Sequence, residues 1–145
     1  MNKGGTIEVA GVRVTMVLAD HSSGITAGEG QPNLEGGEPV GLILRVDGMR
    51  TVYVAGDTGV FGDMALIREL YAPSLGVLPI DGRYNMGPYE AAHACRLLGI
   101  TRVLPVHWGT FPIFTGTPAK LREELATLAV ECEVAELAPG GELQI

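Results

Sequence analysis

Two kinds of periodicity divide the chain. Across Thr6–Val9 and Val12–Ala19 apolar and polar residues alternate, the two-residue period that sends successive side chains to opposite faces of a strand, and Ala10-Gly11 between them suits a hairpin turn. Leu42–Val46 and Thr51–Ala55 form a second pair around Asp47-Gly48, a dipeptide that accepts the positive φ angles of a tight turn. The first third is therefore expected to hold two antiparallel pairs. After Asp57 the rhythm changes to helix, strand, helix, strand, helix: Asp63–Tyr71, Ser74–Ile80, Pro88–Leu98, Arg102–Val106, and Pro118 to about Val130. Pro88 and Pro118 fit the first helical turn, where a missing N–H costs nothing, and Gly99 stands where a helix closes in a left-handed residue. Gly140-Gly141 before Glu142–Ile145 reads as a turn and a last short strand. Gly24–Pro39, with glycines at 24, 28, 30, 36 and 37 and prolines at 32 and 39, reads as a loop, either a cover over a site or an exposed connection. The class expected is α/β, mixed α+β, in a single domain over 1–145.

Composition narrows the partners. With 46% hydrophobic and 19% charged positions the chain can bury a core, and 17 acidic against 10 basic residues leave a formal charge of −7. That excess repels phosphate backbones, so no nucleic-acid partner is expected. Apolar runs such as Val14–Ala19 and Leu75–Ile80 fall well short of the roughly 20 residues of a membrane helix, so no membrane association is expected. Met1–Gly5 lacks the charged and apolar regions of a secretory leader, which makes the cytoplasm the expected compartment. Cys95 and Cys132 stand alone, outside any Cys-x-x-Cys spacing, as buried thiols would.

Of three histidines, His21 closes the strand ending Leu18-Ala19-Asp20 and His107 closes Val103-Leu104-Pro105-Val106. Asp57 does the same after Tyr53-Val54-Ala55-Gly56. Open α/β sheets gather their sites at the carboxyl ends of strands, and imidazole and carboxylate are suitable ligands for divalent transition metals. Taken singly, each has a plainer reading: a structural strand-end histidine, or an Asp57-Thr58-Gly59 turn. His93, in mid-helix, reads as a packed or solvated helix residue, and Trp108 as packing beside the site.

Four segments in order carry a resemblance: Ala19-Asp20-His21-Ser22-Ser23-Gly24; Val54-Ala55-Gly56-Asp57-Thr58-Gly59; Leu78-Pro79-Ile80 with Asn85-Met86-Gly87-Pro88-Tyr89-Glu90-Ala91-Ala92; and Leu104-Pro105-Val106-His107-Trp108-Gly109-Thr110-Phe111-Pro112. Together they resemble a little-characterised family of metal-dependent hydrolases in the metallo-β-lactamase superfamily, from about Gly4 to the C-terminus. The resemblance implies that His21 is a ligand of a first metal, Asp57 a carboxylate bridging two, and His107 a ligand of the second, with no residue of this chain assigned as a catalytic acid or base. Asp81-Gly82 stands where the family more often reads Gly-Asp, which leaves Asp81 without an assigned supporting role.

The superfamily's other ligands lie in a His-x-His-x-Asp-His motif that this sequence does not contain. The resemblance therefore implies the second αβ half of an αββα sandwich with the N-terminal half missing. A divalent metal, Zn²⁺ foremost, would be held as two ions in a full site and weakly or not at all by this chain alone. The implied activity is hydrolysis of a small-molecule ester, amide, lactone or phosphoester by a metal-bridging hydroxide. An N-terminal complement, or self-association through an exposed sheet face, is the expected protein partner. The alternative is a non-catalytic binding or assembly module, or an inactive fragment, that keeps the ligands as relics.

Overall fold

A computed structural model describes residues 1–145. The chain runs β1 (Thr6–Val9), β2 (Val12–Leu18), β3 (Gly24–Ile25), β4 (Leu34–Glu35), β5 (Val40–Arg45), β6 (Val52–Val54), α1 (Met64–Tyr71), β7 (Leu75–Pro79), α2 (Pro88–Leu98), β8 (Arg102–Val106), α3 (Pro118–Thr127) and β9 (Glu133–Val134). Seven strands form one sheet in the order β1-β2-β5-β6-β7-β8-β9, and β3 and β4 pair separately. Pairing is antiparallel from β1 to β6 and parallel from β6 to β9. Two antiparallel steps separate β2 from β6, so β2 points the same way as β6, β7 and β8. The carboxyl ends of all four therefore meet at one edge of the sheet.

The expected two-residue pattern survives as two faces. Ile43, Tyr53, Leu78 and Val103 are buried against Ile67 of α1, Cys95 and Leu98 of α2, and Leu121 and Leu125 of α3. On the opposite face the register places Met16, Leu42, Val54, Val77 and Leu104 in one row across five strands, each half-buried. The helix boundaries follow local chemistry. Pro88 and Pro118 open α2 and α3, the Thr117 hydroxyl accepts the Lys120 N–H at 3.2 Å, and Glu90 accepts the Gly87 N–H at 3.0 Å. Gly99 closes α2 at φ 62.

The seven-stranded sheet, the separate β3–β4 pair and three helices thus make one folded unit across residues 1–145. This corrects the expectation of the second half of an αββα sandwich with its N-terminal half missing. Three local readings are corrected as well. The Gly24–Pro39 segment is not all loop, because β3 and β4 pair within it and the Gly36 N–H bonds the Ser23 carbonyl at 2.8 Å. Glu142–Ile145 adds no strand; the last strand is β9, two residues held against β8 by parallel pairing and an Arg102–Glu133 ion pair at 3.0 Å. Two residues show no periodicity, which is why β9 escaped the sequence pattern. Asp47-Gly48 does turn, with Gly48 at φ 77, but β5 ends at Arg45 and β6 starts at Val52, so the connection is wider than a two-residue hairpin. Ala10 at φ 50 and Gly11 at φ 81 make the first hairpin as expected. α3 stops at Thr127, short of Val130, where Ala129 turns left-handed at φ 52. Cys95 is buried and Cys132 partly so, both as free thiols, and no helix is long and apolar enough to cross a membrane.

Candidate metal centre

Four titratable side chains leave the shared sheet edge: His21 after β2, Asp57 after β6, Asp81 after β7 and His107 after β8. The turns that carry them are tied together. The Thr58 hydroxyl is buried, accepts the Asp20 N–H at 2.9 Å and donates to the Gly59 carbonyl at 2.8 Å, and the Gly59 N–H reaches the Asp20 carbonyl at 2.9 Å. The loop bearing His21 is thereby clamped to the loop bearing Asp57. His107 has φ 56, a conformation uncommon for a residue with a side chain and found disproportionately at functional positions.

The side chain of His107 crosses above the end of β7 toward Asp57, placing Nδ1 3.4 Å from Asp57 Oδ1. That gap exceeds an ordinary N–H···O hydrogen bond of about 2.7–3.2 Å. It matches the edge of a tetrahedron, about 3.3–3.4 Å, for two donors each bound roughly 2.0–2.1 Å from one zinc-sized ion. Both groups are about half exposed, at 46% and 51%, so an ion can reach them. By spacing, atom type and access, this pair fits a divalent metal.

Asp81 is a residue that reading by resemblance set aside. Its side chain is 1% exposed and its Oδ1 accepts the N–H groups of Arg83 at 2.8 Å, Tyr84 at 2.7 Å and Asn85 at 3.2 Å, while Oδ2 accepts the Asn85 amide at 2.8 Å. Burial raises its pKa, but the hydrogen bonds from Tyr84, the Asn85 side chain, Arg83 and the Asn85 backbone outweigh burial and hold the carboxyl below its ordinary value. The Asn85 amide nitrogen also sits 3.3 Å from His107 Nδ1, and Asp81 Oδ2 is 4.0 Å from the same atom. Asp81 and Asn85 therefore form a bracket that fixes the His107 ring. Asn85 Oδ1 is buried without a partner, an open acceptor within this bracket.

His21 reaches the same edge but not the same cluster. Its Nδ1 lies 2.7 Å from the Ser22 carbonyl and its Nε2 lies 3.0 Å from the Tyr84 carbonyl. Neither ring nitrogen comes within 4.0 Å of a carboxylate, and no group of three or more His, Cys, Asp or Glu side chains gathers at metal-binding distance. Binding through His21 requires one of its nitrogens to leave a carbonyl. The Ser22 contact is made by the backbone, and the Ser23 hydroxyl donates to the Gly37 carbonyl, securing the β3–β4 loop. His93 lies apart on α2, edge-on to Tyr89 and 2.9 Å from the Arg96 guanidinium. Trp108 packs on the core and donates from Nε1 to the Pro105 carbonyl at 3.0 Å.

A cavity of about 460 Å³ opens beside His21, between the Asp20–Ser22 turn and the start of α2. Tyr84, Met86 and Val60 supply its apolar wall, and Asp20 and Glu90 its carboxylates. No lysine or arginine lines it.

Comparison with known proteins shows kinship along the chain. The beta-lactamase superfamily domain matches residues 1–108, a span that takes in His21, Asp57, Asp81, Asn85 and His107. A UPF0173 metal-dependent hydrolase of Rubrobacter xylanophilus is 49% identical over 143 residues, 99% of this chain and 59% of its own length. One from Solibacter usitatus is 51% identical over 144 residues, 99% of this chain and 61% of its own. Among solved structures, Igni18, a metallo hydrolase from Ignicoccus hospitalis, superposes with a TM-score of 0.79 at 33% identity, covering 96% of this chain and 57% of that one. The chain thus spans about three fifths of the length of these relatives. The hydrolase matches take in 96–99% of this chain, which corrects the expectation of a resemblance to a C-terminal half or fragment only: the kinship is with metal-dependent hydrolases along the length of this chain.

Proposed function

The chain belongs to the beta-lactamase superfamily domain family, and from that premise we propose that it is a divalent-metal-dependent hydrolase of a small-molecule substrate. The observation carrying the proposal is the His107–Asp57 pair, two donors of the right chemistry held 3.4 Å apart and open to solvent at the sheet edge. The names and fold of the relatives support the same reading.

Asp57 and His107 would hold the ion, and His21 would join them if Nε2 left the Tyr84 carbonyl or Nδ1 that of Ser22. A divalent ion held there would supply a water acidic enough to give hydroxide near neutral pH and would polarise the electrophile. Asp81 and Asn85 hold the His107 ring beside Asp57, with Nδ1 turning from the Asn85 amide to bind an ion, and the Thr58 clamp holds the His21 and Asp57 turns in register. Zn²⁺ suits a nitrogen and carboxylate donor set, and the substrate is an ester, amide, lactone or phosphoester.

The measurement is metal-dependent hydrolysis. Protein stripped with chelator and reloaded with Zn²⁺, Mn²⁺ or Co²⁺ is assayed on p-nitrophenyl acetate and bis(p-nitrophenyl) phosphate, beside Asp57→Ala. Metal-dependent turnover that Asp57→Ala abolishes, with its circular dichroism unchanged, is the expected result. Turnover indifferent to metal or to Asp57→Ala would overturn the proposal. The carbonyl partners of both His21 nitrogens favour a second reading, a metal-free binding module, which predicts a folded protein with no turnover under any loading.

A further inference from the structure

Beyond the metal edge, the surface holds an aromatic cluster that core packing does not explain. Phe111 and Phe114 meet edge to face with ring centres 5.3 Å apart, and Phe114 meets Tyr84 the same way at 6.2 Å. Phe111 is 58% exposed and Tyr84 62% exposed. Exposed aromatic surface is expensive in water, and contiguous patches of it mark binding sites. The position of this patch is specific. The Tyr84 carbonyl contacts His21, Tyr84 also lines the 460 Å³ cavity, and the segment bearing Phe111 and Phe114 follows directly from His107.

We propose that Tyr84, Phe111 and Phe114 form a recognition wall for an aryl group on an uncharged substrate, whose scissile bond would then lie over the His107–Asp57 pair. The preference for a neutral molecule comes from the adjoining cavity, where the two carboxylates of Asp20 and Glu90 outnumber the one basic side chain, His21, and no lysine or arginine lines the space; Arg83 stands over the Tyr84 ring outside that lining. An anionic substituent entering that space would meet like charge in a partly desolvated setting. An aryl ring finds both the exposed Phe111 face and the apolar contribution of Tyr84 and Met86. The substrate assignment rests on the hydrolase reading, whereas the binding wall does not.

The test uses binding alone, so that failure of hydrolysis and failure of the wall remain distinguishable. Metal-free protein is titrated by ¹H–¹⁵N NMR with phenylacetamide, with acetamide and with phenylacetate. Phenylacetamide should shift the amides of Tyr84, Phe111 and Phe114, and acetamide should bind roughly tenfold or more weakly, the value of one aromatic contact. Phenylacetate should also bind more weakly than phenylacetamide. Phe111→Ala with Phe114→Leu should remove the phenylacetamide response with the circular dichroism unchanged; because these changes could loosen the loop, Phe111→Ala alone serves as the second variant and should weaken binding without lowering the melting temperature. Equal binding of acetamide and phenylacetamide, shifts confined to other regions, tighter binding of phenylacetate, or binding unaltered in Phe111→Ala would each overturn the proposal.

Discussion

Removing the Asp81 carboxylate should loosen the fold and the site together, and the loss can be worked from its bonds. Four donors converge on this one buried group: three backbone N–H groups at 2.7–3.2 Å and the Asn85 amide at 2.8 Å. A hydrogen bond to a charged group contributes about 1.5–3 kcal/mol, but four on one carboxylate are not additive, and the loop can admit water once the side chain is gone. Asp81→Ala is therefore expected to cost about 3 kcal/mol, or roughly 10 °C in melting temperature for a domain of this size. Asp81→Asn keeps an acceptor oxygen for the backbone but turns an amide toward that of Asn85, and should cost about half as much. Urea unfolding at pH 7 measures both. Because the folded carboxyl lies below its ordinary value, its contribution is fully present above the unfolded Asp pKa of about 3.9 and is lost as pH falls through the lower folded value. The gap between wild type and Asp81→Asn should thus be flat from about pH 7 to 5 and narrow below about pH 4. An Asp81→Ala protein within about 0.5 kcal/mol of wild type, or a gap that does not change down to pH 3, would refute the reasoning.

Other consequences are equally open to measurement. The Tyr53 hydroxyl is fully buried without a partner and burial drives its pKa upward, so Tyr53→Phe should be neutral or stabilise by up to about 1 kcal/mol in thermal unfolding; a loss above that size would mean the hydroxyl is satisfied. A Cβ on Gly116 would fall 1.5 Å from the Ile80 carbonyl oxygen, beside two N–H bonds to the Asp81 carbonyl, so Gly116→Ala should cost about 3 kcal/mol or more, and near-wild-type unfolding would contradict that packing. Thr58→Val keeps the shape but removes the hydroxyl that joins the Asp20 N–H to the Gly59 carbonyl; about 1–2 kcal/mol should be lost and amide exchange at Asp20 should quicken, whereas unchanged exchange would argue against the clamp.

Much of this arrangement was legible before the structure. His21, Asp57 and His107 stood out because each closes a predicted strand, and strands end at a sheet edge whatever their partners. What periodicity cannot supply is strand order: only the antiparallel β2-β5-β6 path makes β2 run with β6 and β8, and so brings His21 to the edge of Asp57 and His107. Side-chain direction was also out of reach, which is why His21 sits on two carbonyls rather than beside a carboxylate. Asp81 was discounted by its departure from the Gly-Asp order, yet Asp81-Gly82-Arg83-Tyr84-Asn85 carried a physical signal of its own, an aspartate able to accept the N–H groups of the residues that follow it. Phe111 and Phe114 left no periodic trace, because an irregular segment places them. The sandwich half and the fragment were inferred from the four resembling segments together with the absence of a His-x-His-x-Asp-His motif, and strand order, which neither signal carries, is what corrects them.

The most direct test of the metal centre is Zn²⁺ titration of the histidine ring resonances in chelator-treated protein, with His93 as an internal control remote from the site. The ring signals of His107 and His21 should shift together and saturate with added metal, His93 should stay fixed, and Asp57→Ala should weaken the response at least tenfold. Rings of His107 and His21 that ignore Zn²⁺, or that respond no more than His93, would contradict a metal centre at this sheet edge.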